Sequence, residues 1–137
     1  MTETEVRATL ENVRDTYRNY NLAREECARF RDMILGAPAI SDMPHSQSRT
    51  NSTENKLIRI ATYDEQIEIY FKRFLAAKES AERMINILEN STEREVLIRR
   101  YIMIYSWEQI AEQMHYSFSH LRRLHNIAIN NIVNKQK

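Results

Sequence analysis

The sequence predicts an all-α protein, with two long N-terminal helices that form an oligomerising helical hairpin or coiled coil and a C-terminal three-helix, helix-turn-helix domain. Three observations support this fold class. The 137 residues include one glycine and two prolines, so few positions favour sharp turns. Apolar residues recur at spacings of three and four along most of the chain, which is the helical period. No segment of useful length alternates apolar and polar residues as a strand does.

Residues 1–35 are predicted to form one long helix. An apolar stripe steps along it by three or four residues, and the opposite face is rich in Glu, Arg and Asn. Gly36 and Pro38 should end this helix, and residues 36–53, which hold both prolines and several Ser and Thr, are predicted to be a flexible linker. The stripe consists of Val6, Leu10, Val13, Tyr17, Tyr20, Ala23, Cys27, Phe30 and Ile34.

Residues 54–90 are predicted to form a second long helix that mediates self-association. Its apolar residues follow a heptad pattern, which is typical of a coiled coil or an antiparallel helical hairpin. Further apolar residues, such as Ile58 and Ile69, lie off this seam. We therefore expect the helix to be covered both by the first helix and by a partner chain, in a dimer or tetramer. The seam consists of Ile60, Tyr63, Ile67, Tyr70, Phe74, Ala77, Ala81, Met84 and Leu88.

Residues 91–137 are predicted to form the three-helix domain. Thr92 can cap its first helix, which is expected to run to about Ile104. Ser106 can cap the second helix, again with the spacing of a capping box, and Ser117 can cap the third. A short helix, a short turn and a longer helix are the pattern of the helix-turn-helix.

The last helix of this domain would carry the DNA contacts. Apolar residues recur along it at spacings of three and four and should face inward, so polar side chains near its start should face outward. These apolar residues are Leu121, Leu124, Ala128, Ile129 and Ile132. Arginines can contact guanine edges or phosphates, and Ser, His and Asn can hydrogen-bond to bases or backbone. Phe118 could touch a thymine methyl or shield the turn. The predicted DNA-binding residues are Ser117, Phe118, Ser119, His120, Arg122, Arg123 and Asn126.

The charge distribution agrees with a C-terminal DNA-binding region. Residues 91–137 contain seven Lys or Arg against four Asp or Glu, a net charge of +3, whereas the whole chain carries only +1. A single tail with so small an excess should bind DNA weakly, so we expect two tails to combine on two half-sites. The alternative to a DNA-binding helix-turn-helix is an ordinary helical hairpin whose two arginines are only solvated surface charges.

The C-terminal stretch resembles region 4 of the bacterial sigma-70 family. That family has the pattern T-L-x-E-I-G/A-x-x-x-G-V-[TS]-x-x-x-V-R-x-I, and residues 106–124 follow it without gaps as SWEQIAEQMHYSFSHLRRL. Residues 92–101, TEREVLIRRY, are similar to the family's preceding helix. His115 stands where the family usually has Gly, so the turn should place a non-glycine residue at positive φ.

The layout of the whole chain resembles the small phage-encoded ArpU/RinA-like transcriptional regulators. This resemblance implies an oligomeric, sequence-specific DNA-binding regulator of phage or prophage genes, late or lysis-related, in the cytoplasm of a bacterial host. A sigma-like adaptor that binds RNA polymerase, a small-terminase-type packaging protein and a pure interaction scaffold are the alternatives. The similar segments are RYI at 100–102, SWEQIA at 106–111, YS at 116–117 and RLH at 123–125.

Neither catalysis nor a cofactor is predicted. The chain has no pair of nucleophile and base, no paired carboxylates and no glycine-rich phosphate loop. Cys27 is the only cysteine, which excludes a disulfide within the chain and a cysteine-based zinc site. His115, His120 and His125 are five residues apart, a spacing that does not share one helical face, so no metal site is expected. No segment approaches the roughly 20 apolar residues that a membrane span requires.

Overall fold

The computed structural model describes the backbone of residues 1–35 and 46–136 and the side chains of residues 1–34 and 53–136. The regular structure in these ranges is entirely helical, which confirms the all-α prediction. The elements are α1 (Glu3–Leu35), α2 (Ser46–Ile85), α3 (Ser91–Leu97), a π-helical segment (Ile98–Ile102), α4 (Trp107–Met114) and α5 (Phe118–Lys135). The described chain forms two compact units: unit 1 comprises Met1–Thr16 and Arg73–Lys137, and unit 2 comprises Tyr17–Lys72.

The bounds of α2 differ from the prediction. A linker was expected at 36–53 and a helix at 54–90, whereas α2 covers Ser46–Ile85. Residues 36–45 of the expected linker lie outside the described residues, and residues 46–53 are helical. Ser, Thr and Asn have low helix propensity. Extending an existing helix nevertheless gains a hydrogen bond for each residue fixed, and this can outweigh the low propensity.

The junction between α2 and α3 also differs from the prediction. The Leu88 amide donates to the Ile85 carbonyl at 3.0 Å, and this tight turn ends α2 while Leu88 enters the core. The N-cap of α3 is Asn90 rather than the expected Thr92, because the Asn90 side chain already accepts bonds from the first free amides of the helix. The expected helix to about Ile104 is shorter and passes into the π-helical segment.

Unit 1 has a core to which both long helices contribute. Val6 and Leu10 of α1 and Ala81 of α2 are fully buried in the same cluster as Ala128 and Ile129 of α5. Unit 1 thus joins residues 91–137 with the start of α1 and the last part of α2.

A second, smaller core lies between α3, α4 and α5. Val96, Ile110 and Leu121, one from each helix, are buried at its centre. Half-buried side chains surround them, including Trp107 and Leu124. This cluster fixes α4 and α5 against each other, and the inward positions predicted for α5 are buried or half-buried.

Unit 2 is a pair of helical segments from α1 and α2. The rings of Tyr20 and Phe71 lie 5.2 Å apart, and those of Phe30 and Tyr63 lie 5.0 Å apart. Because the later residue of α1 meets the earlier residue of α2, the two segments run antiparallel within this unit. Tyr20, Phe30 and Tyr63 belong to the predicted stripes, whereas Phe71 lies off the predicted seam. The described members of both stripes in unit 2 are all buried or half-buried.

The burial in unit 2 is shallow. Among its described side chains only Ala23 and Cys27, both small, are classed as buried. Several large apolar side chains are exposed to solvent instead. They are Leu22, Met33, Leu57, Ile58, Ile69 and Phe71.

Candidate nucleic-acid interface

The turn between α4 and α5 is defined by local capping. Ser106 and Gln109 form the predicted capping box: the Gln109 amide donates to Ser106 Oγ at 3.2 Å and Gln109 Oε1 accepts from the Ser106 amide at 2.9 Å. His115 ends α4 in the left-handed region, at φ 58° and ψ 40°, as expected for the glycine position of the turn. Ser117 then caps α5 by accepting a hydrogen bond from the His120 amide at 3.2 Å.

Six of the seven predicted contact residues are exposed, and five of these lie within the first half of α5. They are spaced so that i, i+4 pairs lie on one side of the helix, while the opposite side is buried in the two cores of unit 1. We call this set the recognition face. It consists of Phe118, Ser119, Arg122, Arg123 and Asn126.

The other two predicted residues are placed differently. Ser117 is exposed, but its hydroxyl oxygen is engaged as the helix cap. His120 is half-buried, and its ring meets the Tyr116 ring at 4.6 Å in an edge-to-face contact. His120 therefore supports the turn, and it is less available to a ligand than the outward position we predicted.

The two arginines of the recognition face are free of carboxylates. Arg122 and Arg123 have no ion-pair partner among the described residues. Arg99, in contrast, is held by Glu95 at 2.9 Å. An unpaired guanidinium keeps all its N–H donors for a ligand, so these two side chains are the strongest anion-binding groups on this surface.

A cleft of about 400 Å³ lies beside the recognition face, between the start of α1 and α5. Arg7 crosses it, and its Nη2 donates to Asn126 Oδ1 at 2.9 Å and to Glu3 Oε1 at 2.9 Å. Sequence reasoning did not find Arg7, because it lies 119 residues from its partner and no local pattern signals the contact. The lining consists of Arg7, Trp107, Phe118, Arg122, His125 and Asn126.

A neutral histidine lies at the base of this cleft. His125 is 7% exposed, its Nε2 lies 2.6 Å from Tyr101 Oη, and its ring meets Trp107 edge-on at 5.2 Å. Burial, together with the charge of Arg7, lowers the pKa of His125 to about 4. Burial also raises the pKa of Tyr101 to about 12, so the phenol stays protonated and can donate to the imidazole.

The sequence did contain a signal for this buried histidine. His125 lies four residues after Leu121 and four before Ile129, within the apolar stripe of α5. Trp107, which lines the cleft beside His125, is covered by the Arg100 guanidinium, 4.7 Å from the ring centroid. The cleft is thus built on a fixed aromatic base.

Two further kinds of site are absent from the described residues. No three His, Cys, Asp or Glu side chains among them are grouped so that they could hold a metal ion. None of their helices combines the length and apolarity needed to cross a membrane.

Comparison with known proteins identifies one family. The model of the family described as "Protein of unknown function (DUF1492)" matches residues 35–133. The match covers more than half of the chain, and the chain belongs to this family. Almost all of α1, including Arg7, lies outside the matched range. No curated protein matches the chain, and no solved structure matches it.

Proposed function

We propose that this member of the DUF1492 family is a sequence-specific DNA-binding transcriptional regulator of phage or prophage genes, late or lysis-related. It acts as an oligomer, and α4 and α5 serve as its helix-turn-helix. The observation that carries the proposal is the recognition face, where two arginines without carboxylate partners stand beside an exposed amide and hydroxyl. Such donors at the start of the second helix are what a helix-turn-helix presents to the major groove.

The recognition face has groups for both parts of DNA binding. Arg122 and Arg123 can pair with guanine edges or phosphates, and Asn126 can hydrogen-bond to a base. The free amides at the start of α5, beside Ser117, can receive a phosphate. Phe118 is 55% exposed, which favours contact with a thymine methyl over shielding of the turn.

The packing of α5 supports its role as a DNA-binding helix. Its buried side is fixed in both cores of unit 1, with Leu121 in the smaller core and Ile129 and Ile132 in the larger one, all at most 1% exposed. A binding surface on a rigidly packed helix keeps its donors in register with the bases. The backbone of the recognition face therefore needs little ordering when it binds.

Self-association supplies the second half of the mechanism. The exposed apolar side chains of unit 2 offer a surface for a second copy of the chain. Because the C-terminal region carries a modest charge excess, a single recognition face should bind DNA weakly. Two faces on one oligomer gain from effective concentration and should favour a site with two-fold symmetry.

The proposal is tested by selecting bound sequences from random DNA with the full chain. Arg122→Ala/Arg123→Ala is the test variant, and Arg83→Ala, which removes an exposed arginine of α2 far from α5 in sequence, is the control for loss of a surface charge. We expect one enriched two-fold site for the wild type and the control, and none for the test variant. No enrichment at low salt with the wild type would contradict direct specific binding. Repeating the selection with RNA polymerase present then distinguishes a sigma-like adaptor.

A further inference from the structure

We propose that Arg7 is a specificity-determining positioning residue. It fixes the orientation of the Asn126 amide so that Nδ2 faces outward and recognises a hydrogen-bond acceptor on a base edge. This inference rests on the proposed function, since it concerns which base the recognition face selects. It also makes α1, which the family model does not match at Arg7, part of the DNA-reading apparatus.

The contact between Arg7 and Asn126 allows only one orientation of the Asn126 amide. A guanidinium donates hydrogen bonds and accepts none. The Asn126 atom that lies 2.9 Å from Arg7 Nη2 must therefore be the oxygen Oδ1. Rotating the amide by half a turn would place two donors against each other and lose the bond.

Arg7 is itself held in place for this task. Its Nε and Nη2 donate to Glu3 Oε1 at 3.0 and 2.9 Å, an i, i+4 pair along the first turns of α1. The helix behind it is anchored, because Val6 and Leu10 are completely buried in the core of unit 1. The donor that faces Asn126 is thus fixed by both its ion pair and its backbone.

The nitrogen of the amide remains for a ligand. Asn126 is exposed, and its Nδ2 has no hydrogen-bond partner among the described residues. Guanine N7 and O6, adenine N7 and thymine O4 are acceptors in the major groove, whereas cytosine presents only its N4 donor there. A fixed outward donor should accept any of the first three bases and reject cytosine at the contacted position.

The test extends the selection from random DNA to four variants. Arg7→Gln can face Asn126 with either a donor or an acceptor, so the amide is free to rotate and cytosine should be tolerated. Arg7→Lys keeps donors only and should retain the wild-type preference. Asn126→Asp presents acceptors only, so it should prefer cytosine and bind the wild-type site roughly 5- to 150-fold more weakly. Arg83→Gln is the matched control and should change nothing.

The outcomes separate the two proposals. Rejection of cytosine at one position by the wild type and Arg7→Lys, lost in Arg7→Gln and reversed in Asn126→Asp, would support the role of Arg7. A wild-type site whose base preferences survive unchanged in Arg7→Gln would overturn that role and leave the DNA-binding proposal intact. Failure of the wild type to enrich any site would overturn both. Circular dichroism of each variant checks that the helices remain folded.

Discussion

The two units use the same pair of long helices and bury them to very different depths. In unit 1, α1 and α2 contribute completely buried residues such as Val6, Leu10 and Ala81, because α3 and α5 add further apolar surface. In unit 2 only Ala23 and Cys27 are buried among the described side chains. We infer that a helix pair without a third layer cannot exclude water from its large side chains. Unit 1 contains a core of its own, whereas unit 2 should gain stability from another chain.

The largest loss of stability is expected from truncating Leu10. This side chain is completely buried in the core that α1 shares with α2 and α5, so Leu10→Ala should lower the free energy of unfolding by about 2–5 kcal/mol. Urea denaturation followed by circular dichroism measures this loss. Met103→Ala, at a residue of unit 1 that is 52% exposed, is the control and should cost far less. If Leu10→Ala cost as little stability as the control, the core of unit 1 would not depend on α1.

The buried histidine gives unit 1 a dependence on pH. The pKa of His125 is about 4 in the folded protein and 6.5 when unperturbed. The unfolded state therefore binds more protons between these values, so stability is complete above pH 6.5 and falls as the pH drops toward 4. The loss is about 3 kcal/mol. His125→Gln should remove this increment from a series of unfolding measurements between pH 7 and 4. Parallel curves for the two proteins would contradict a neutral buried imidazole.

The exposed apolar residues of unit 2 should form an interface with another chain. Leu57 and Ile58 are 59% and 63% exposed, and burying each against a partner should contribute about 1.5–3 kcal/mol. Leu57→Glu/Ile58→Glu should therefore weaken self-association by about tenfold or more, as measured by sedimentation velocity. Met103→Glu changes an exposed apolar residue of unit 1 and serves as the control. A wild type that stays monomeric at high concentration would exclude this surface as an interface.

The smallest expected effect concerns the turn of the recognition region. His115 has φ 58°, a conformation that glycine adopts without steric cost. His115→Gly should raise the free energy of unfolding by about 0.5–1 kcal/mol, measured by thermal unfolding. A loss of stability would show that the histidine side chain contributes more than its backbone costs.

Periodicity and capping predicted the local features of this fold well. The stripes of α1 and α2 and the inward positions of α5 follow from spacings of three and four, and Ser106 and Ser117 cap the helices as expected. These features depend on residues within one or two turns of each other. The sequence alone therefore contains the information that places the recognition face on one side of α5.

The features that were missed depend on distant contacts or on backbone strain. The shared core of unit 1 and the Arg7–Asn126 bond join residues from opposite ends of the chain, which periodicity cannot connect. Ile104 adopts φ 61°, a strained conformation for a β-branched residue, and no sequence pattern predicts it. The surrounding packing holds it there, since Ile104 lies against the core of unit 1.

The most direct test of the central claim is a titration of the selected DNA site against a scrambled duplex at one salt concentration. We predict that the wild type and Arg83→Ala prefer the selected site by roughly a thousandfold or more. Arg122→Ala/Arg123→Ala should lose roughly thirtyfold or more of that preference, since each specific arginine contact contributes roughly 1–3 kcal/mol of discrimination. A double variant that prefers the selected site as strongly as Arg83→Ala does would contradict the claim that the recognition face of α5 reads DNA.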